Sequence, residues 1–153
     1  MLAHFGQKYN GEPYWSYHLK SVVQTIAWYY NQNDPSLEHI AWLHDLLEDT
    51  RWPLPFWLTQ TERDAIILLT HQKGVPYFEY IKAMRGNNRA VYVKIADAEV
   101  NLHESLRAKH KDRISKYEKA LAMFGSRYPT KPMYCGMPTQ QAQRLGDPSD
   151  NPF

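Results

Sequence analysis

The sequence predicts an all-α protein: five to six helices in one compact bundle, followed by an irregular C-terminal tail. Three observations predict it. Apolar residues recur at i, i+3, i+4 and i+7 through most of residues 1–125. Residues that start and stop helices bracket each of those runs. No run alternates apolar and polar side chains as a half-buried strand would, and the β-prone Val91-Tyr92-Val93 lies inside a longer helical period.

The first helix carries Leu19, Val22, Val23, Ile26, Ala27 and Tyr30 on one face, with Pro13 as a start and Asn31-Gln32-Asn33 as a stop. A second follows Asp34-Pro35, a capping residue and a proline at the first helical position, with Ile40, Leu43, His44 and Leu47 on its apolar face. Pro53 and Pro55 mark a loop. Thr59 and Glu62 have the spacing of a capping box for a third helix that runs to Thr70. Val75-Pro76 opens a fourth, closed by Gly86-Asn87-Asn88. The fifth spans about Arg89 to Ala108, and the sixth about Asp112 to Phe124 with Gly125 as its cap. Residues 1–125 are therefore expected to form the domain. Residues 126–153 hold five of the ten prolines and no apolar period, and read as an extended tail whose Tyr128, Tyr134 and Phe153 could dock on the body or on a partner.

Composition limits the function. With 18 Lys and Arg against 16 Asp and Glu, the chain is neither polycation nor polyanion, so no nucleic-acid partner is expected. The single cysteine, Cys135, excludes an intramolecular disulfide framework and a Cys-rich zinc site. No apolar run approaches a membrane span and no signal-peptide pattern opens the chain. A cytoplasmic protein without a membrane partner is the expectation, and a homo-oligomer is compatible with it.

Chemistry concentrates in Trp42-Leu43-His44-Asp45-Leu46-Leu47-Glu48-Asp49-Thr50, placed within the second helix. Helical spacing sets Glu48 four residues from His44 and three from Asp45, with Asp49 four from Asp45. Three carboxylates so close repel one another unless a cation compensates. By itself the segment is also explained by a solvated helix end and a satisfied core histidine. Two further features weigh against that. His18 lies on the apolar side of the first helix. The fifth helix carries Lys94, Asp97, Asn101 and Glu104 as a polar stripe, and Asp97 stands among residues that should be buried, where an acid needs a partner. Two histidines and two aspartates from three helices form an N/O donor set for manganese, iron or magnesium. Positions left for water favour a catalytic over a structural site.

The order His18, His44-Asp45, Asp97 resembles the four-ligand signature of the HD-domain metal-dependent phosphohydrolases. Three segments resemble one branch of them, the RelA/SpoT-type hydrolase domains and their small single-domain relatives. These are Ala3-His4-Phe5-Gly6-Gln7-Lys8-Tyr9-Asn10-Gly11-Glu12-Pro13-Tyr14, Leu43-His44-Asp45-Leu46-Leu47-Glu48-Asp49-Thr50, and Val93-Lys94-Ile95-Ala96-Asp97 followed by Asn101. The resemblance covers residues 3 to about 106. It implies a helical fold around one metal ion, manganese in the alarmone hydrolases, with His18, His44, Asp45 and Asp97 as ligands. It implies that Glu48 and Asp49 hold and activate the attacking water, and that Lys8, Tyr9, Lys94 and Asn101 meet a small-molecule nucleotide substrate. The implied activity is removal of the 3′-pyrophosphate of a guanosine tetra- or pentaphosphate alarmone. The alternatives are an HD-type phosphatase or triphosphohydrolase acting on 5′-phosphates or a dinucleotide phosphate, and a nucleotide-binding HD module without turnover.

The chain departs from that branch in three places. Trp15-Ser16-Tyr17, between Pro13-Tyr14 and His18, is one residue longer than the usual spacing. Lys8-Tyr9 stands where an arginine-lysine pair is usual, and Ala98-Glu99-Val100 follows the fourth ligand in place of Arg-Leu-His. His39, His71, His103 and His110 show no partner pattern and read as surface or supporting residues, although Thr70-His71-Gln72-Lys73 precedes a loop that could border the pocket. His4 either approaches the pocket or caps a turn. Lys109, Lys111, Arg113 and Lys116 form a basic run, either a solvated face or an electrostatic guide for an anionic ligand.

Overall fold

The computed structural model describes residues 6–9, 11–29 and 34–125. Among these the regular structure is helical, apart from one short hairpin. Strands β1 (Lys8–Tyr9) and β2 (Glu12–Pro13) pair antiparallel, with Lys8 opposite Pro13 and Tyr9 opposite Glu12. Gly11 turns the hairpin at a φ of 89°, a conformation that glycine takes without steric cost. A π-helical turn (Trp15–Leu19) then leads into α1 (Lys20–Tyr29). The remaining elements are α2 (Pro35–Leu43), α3 (Leu46–Asp49), α4 (Gln60–Leu69), α5 (Tyr77–Ala83) with a 3₁₀ turn (Met84–Gly86), α6 (Asn88–Arg107) and α7 (Lys111–Phe124).

The expected caps are in place. The Asp34 carboxylate accepts from the Ser36 amide at 2.9 Å and the Leu37 amide at 3.4 Å, satisfying donors that the helical ladder leaves unpaired. Thr59 and Glu62 make the reciprocal capping box. Gly125 closes α7 at a φ of 80°, whereas Asn87, read only as part of the stop after the preceding helix, also opens α6 by accepting from the Ala90 amide at 3.0 Å. The tail with Cys135, the segment with His4, and the stop signal at residues 31–33 lie outside the described residues.

Two expectations are corrected. The hairpin was not anticipated, because two-residue strands leave no alternating pattern to read. The second helix does not run through His44-Asp45. It ends at Leu43, turns over His44-Asp45, and restarts as the single turn α3.

The core gathers around α6. Val22 and Ile26 of α1, Leu37 and Ile40 of α2, Ile66 and Leu69 of α4, and Ile81 and Met84 pack with Val93, Ala96 and Val100 of α6. Each fully buried Val, Leu or Ile contributes on the order of 1.5–3 kcal/mol. Ala90, Ala96 and Ala98 keep α6 narrow, so neighbouring helices approach closely. A smaller cluster, Ile95 and Ala98 with Tyr117 and Leu121, joins α7 to the same helix. Because α6 is central, its polar residues Lys94, Asp97 and Asn101 are carried into the interior, and each needs a partner there.

Candidate metal centre

Three chain segments meet at one buried point. His18 arrives from the π turn, His44 and Asp45 from the break between α2 and α3, and Asp97 from the middle of α6. His18, His44 and Asp97 each offer a ligand atom, all within 4.8 Å of one another. Their side chains are buried. Asp45 completes the group: its Oδ2 lies 3.0 Å from His44 Nε2 and 3.6 Å from His18 Nε2. Asp97 Oδ1 lies 3.2 Å from His18 Nε2 and 3.7 Å from His44 Nε2.

The helix break explains the state of His44. Ala41 is among the last four residues of α2, whose carbonyls have no partner in the helical ladder. His44 Nδ1 donates to that carbonyl at 2.7 Å. The bond orients the ring so that Nε2 is the atom aimed at the cluster, as a backbone carbonyl does for metal-ligating histidines. Nε2 makes no hydrogen bond among the described residues, although it is buried with two carboxylates beside it. A buried, unsatisfied imidazole nitrogen facing carboxylate oxygens is what a cation would satisfy.

Charge points the same way. The cavity, about 160 Å³, is lined among the described residues by the carboxylates Asp45, Glu48, Asp49 and Asp97 and by two ammonium groups, Lys94 and Lys116. Four carboxylates against two lysines leave two negative charges, the deficit a divalent ion balances. Without an ion, protons on His44 and His18 answer the same deficit. Burial disfavours a charge on His44, but Asp45 and Asp97 outweigh burial and hold its pKa well above the ordinary range. His18 is raised by the same contest. Against the cost of burial, Lys94 and the two histidines hold Asp97 well below the usual carboxylate range.

Supporting contacts fix the donors. Lys94 Nζ donates to Asp97 Oδ2 at 2.7 Å, and Asn101 Nδ2 donates to Asp97 Oδ1 at 2.7 Å. Tyr9 donates in turn to Asn101 Oδ1 at 2.8 Å, and its ring packs 5.0 Å from that of His18. The Tyr14 hydroxyl donates to Asp45 Oδ2, and its ring also lies 5.0 Å from that of His18. Tyr17 donates to Glu104 Oε1 at 2.6 Å and so ties the π turn to α6. This turn is where the sequence is one residue longer than the resemblance leads one to expect, and a π turn is the usual form of such an extra residue in a helix.

At the rim, Glu48 and Asp49 of α3 are exposed and line the cavity. The His71 backbone amide donates to Glu48 Oε2 at 2.9 Å. His71 is itself held, with Nε2 bonded to the Val75 carbonyl at 2.7 Å and its ring stacked 4.7 Å from Tyr80.

The anticipated substrate contacts divide. Lys94 and Asn101 line the cavity, but both are engaged with Asp97. Tyr9 stands behind His18, and Lys8 projects from the hairpin, exposed and outside the cavity lining. His39, read as lacking a partner, is bonded to Glu62 at 2.8 Å. The basic run splits: Lys109 and Lys111 are exposed, Arg113 approaches Tyr9 and Asn101 at 3.4 Å each, and Lys116 lines the cavity. Sequence reading assigned no role to Tyr14, Tyr77, Tyr80 or Tyr117, which also line it. Their spacing is that of ordinary helix faces, and only proximity across the fold separates them from core tyrosines.

No family model and no curated protein matches the chain. Among the described residues no helix is long and apolar enough to cross a membrane.

Proposed function

We propose that this protein is a metal-dependent phosphohydrolase of the HD-domain type acting on a phosphorylated nucleotide, with a 3′-pyrophosphorylated guanosine alarmone as the favoured substrate. The observation that carries the reading is the buried His18, His44 and Asp97 cluster, with Asp45 against it, at the base of a cavity rimmed by Glu48 and Asp49.

The donors suit the group. Two imidazoles and two carboxylates without thiolate match manganese, iron or magnesium. His18, His44, Asp45 and Asp97 would hold the ion. When bound, such an ion supplies Lewis acidity, lowering the pKa of a water and drawing charge from a phosphoryl oxygen. The protein's own groups do the rest. Glu48, oriented by the His71 amide, stands at the rim as the base that takes a proton from the attacking water. Asp49 beside it offers a second acceptor. Lys94 keeps Asp97 ionised and in place. The aromatic and cationic wall of Tyr77, Tyr117 and Lys116 fits a planar base and its phosphates better than a neutral apolar ligand.

The test is one panel assay with manganese. It offers 3′-pyrophosphorylated guanosine nucleotides, nucleoside 5′-mono- and triphosphates, deoxynucleotides and a nicotinamide dinucleotide phosphate, beside His44→Ala. Pyrophosphate released from the 3′ position, and abolished in the variant, is expected. Turnover of a 5′-phosphate alone would retain the phosphohydrolase and discard the alarmone. Release of neither phosphate nor pyrophosphate from any substrate would overturn the reading.

A further inference from the structure

Two lysines line the cavity, and they are not equivalent. Lys94 is committed: its ammonium sits 2.7 Å from Asp97 Oδ2. Lys116, from α7, has no carboxylate within ion-pair distance among the described residues. Its Nζ instead stands 4.0 Å from the centre of the Tyr77 ring and 5.3 Å from that of Tyr117. A ring face attracts a cation but accepts none of its three N–H bonds in full. Burial, followed by the charge of Lys94, pushes the Lys116 pKa below its ordinary value. An ammonium that is partly desolvated, unpaired and facing a cavity gains more from an incoming anion than a solvated one.

Its neighbours show that this is a property of the position. Lys119, three residues further on the same helix, lies 4.2 Å over the Phe78 ring, is exposed and is not part of the cavity lining. Lys111, at the start of α7, is exposed as well.

We propose that Lys116 is the specificity-determining cation of the cavity, reserved for a second anionic group of the ligand beyond the phosphoryl group placed against the His/Asp cluster. This rests on the phosphohydrolase reading and narrows it: the preferred ligand carries a pyrophosphoryl unit or two phosphates, and a lone phosphomonoester leaves Lys116 unsatisfied.

The experiment titrates manganese-loaded protein with orthophosphate and with pyrophosphate, in the wild type, Lys116→Gln, Lys116→Arg and Lys119→Gln. A charge-assisted hydrogen bond corresponds to a preference of about tenfold or more for pyrophosphate. Expected are that preference in the wild type, its loss in Lys116→Gln, its retention in Lys116→Arg, and no change in Lys119→Gln. Manganese titration and thermal unfolding of each variant check that the centre and the fold are intact. A preference that survives Lys116→Gln overturns the inference, as does an equal loss in Lys119→Gln or a wild type that does not discriminate. The two proposals fail separately. A Lys116-dependent preference without turnover of any nucleotide sinks the hydrolase alone, and turnover with an unaltered preference in Lys116→Gln sinks the role of Lys116 alone.

Discussion

The Tyr14 hydroxyl donates to Asp45 Oδ2, the same carboxylate oxygen that faces both His18 and His44. The phenol therefore orients a donor atom through a hydrogen bond to that oxygen. Its own ionisation is suppressed by burial and by Asp45, so it remains a hydrogen-bond donor. Removing such an outer partner weakens metal binding by about tenfold to a hundredfold. Tyr14→Phe is expected to lose about tenfold in manganese affinity while keeping its helical content. Calorimetric titration checks it, and an affinity equal to the wild type would show that Asp45 needs no such support.

Lys94→Met leaves the buried Asp97 charge facing only imidazoles and Asn101. Breaking a buried pair from one side costs about 3 kcal/mol. Urea unfolding of the metal-free variant should show that loss, and manganese should restore part of it by neutralising the same carboxylate. A variant as stable as the wild type would mean that Asp97 is neutralised by some other route.

The histidines predict an unusual pH dependence. Both are raised above 6.5, because Asp45 and Asp97 outweigh the effect of burial. A folded-state pKa above the unfolded one gives stability that is complete below about 6.5 and lost as pH climbs through the folded value. The metal-free protein should therefore lose Tm as pH rises above about 6.5. Manganese, which takes the place of those protons, should abolish the decline. Thermal unfolding in chelator and in manganese makes the comparison. A chelated protein whose Tm rises over that range would contradict it.

Glu48 sits at the rim and touches none of the donor atoms, so its role separates from metal binding. Glu48→Gln should bind manganese as the wild type does while turnover falls by about 10²- to 10⁴-fold. Loss of manganese affinity instead would assign Glu48 to the ligand set.

The helices were legible because each carries its own signal: a cap, a 3.6-residue period and a stop. Asp34 and Thr59 sit where local hydrogen bonding puts them, while the capping role of Asn87 was hidden in what read as a stop. The donor residues were legible because a buried acid such as Asp97 conflicts with its apolar surroundings. The helix break at His44-Asp45 was not, since Leu46 and Leu47 continue the apolar run and only the competition of the His44 ring for the Ala41 carbonyl reveals the interruption. Nor was the fate of Lys94 against that of Lys116. Both are lysines on amphipathic helices, and which one finds a carboxylate depends on how α6 and α7 face each other, a relation that no local pattern encodes.

The π turn at Trp15–Leu19 gives the chain tolerance in length. A turn that takes in one more residue widens rather than shifting everything downstream, so Tyr14 and His18 keep facing the same cavity while α1 holds its register. An insertion or deletion of one residue at this point is expected to cost little stability, although it falls inside the site. A pattern written with a fixed interval between the tyrosine and the histidine reads such a chain as out of step, even when the two side chains meet the same partners in space.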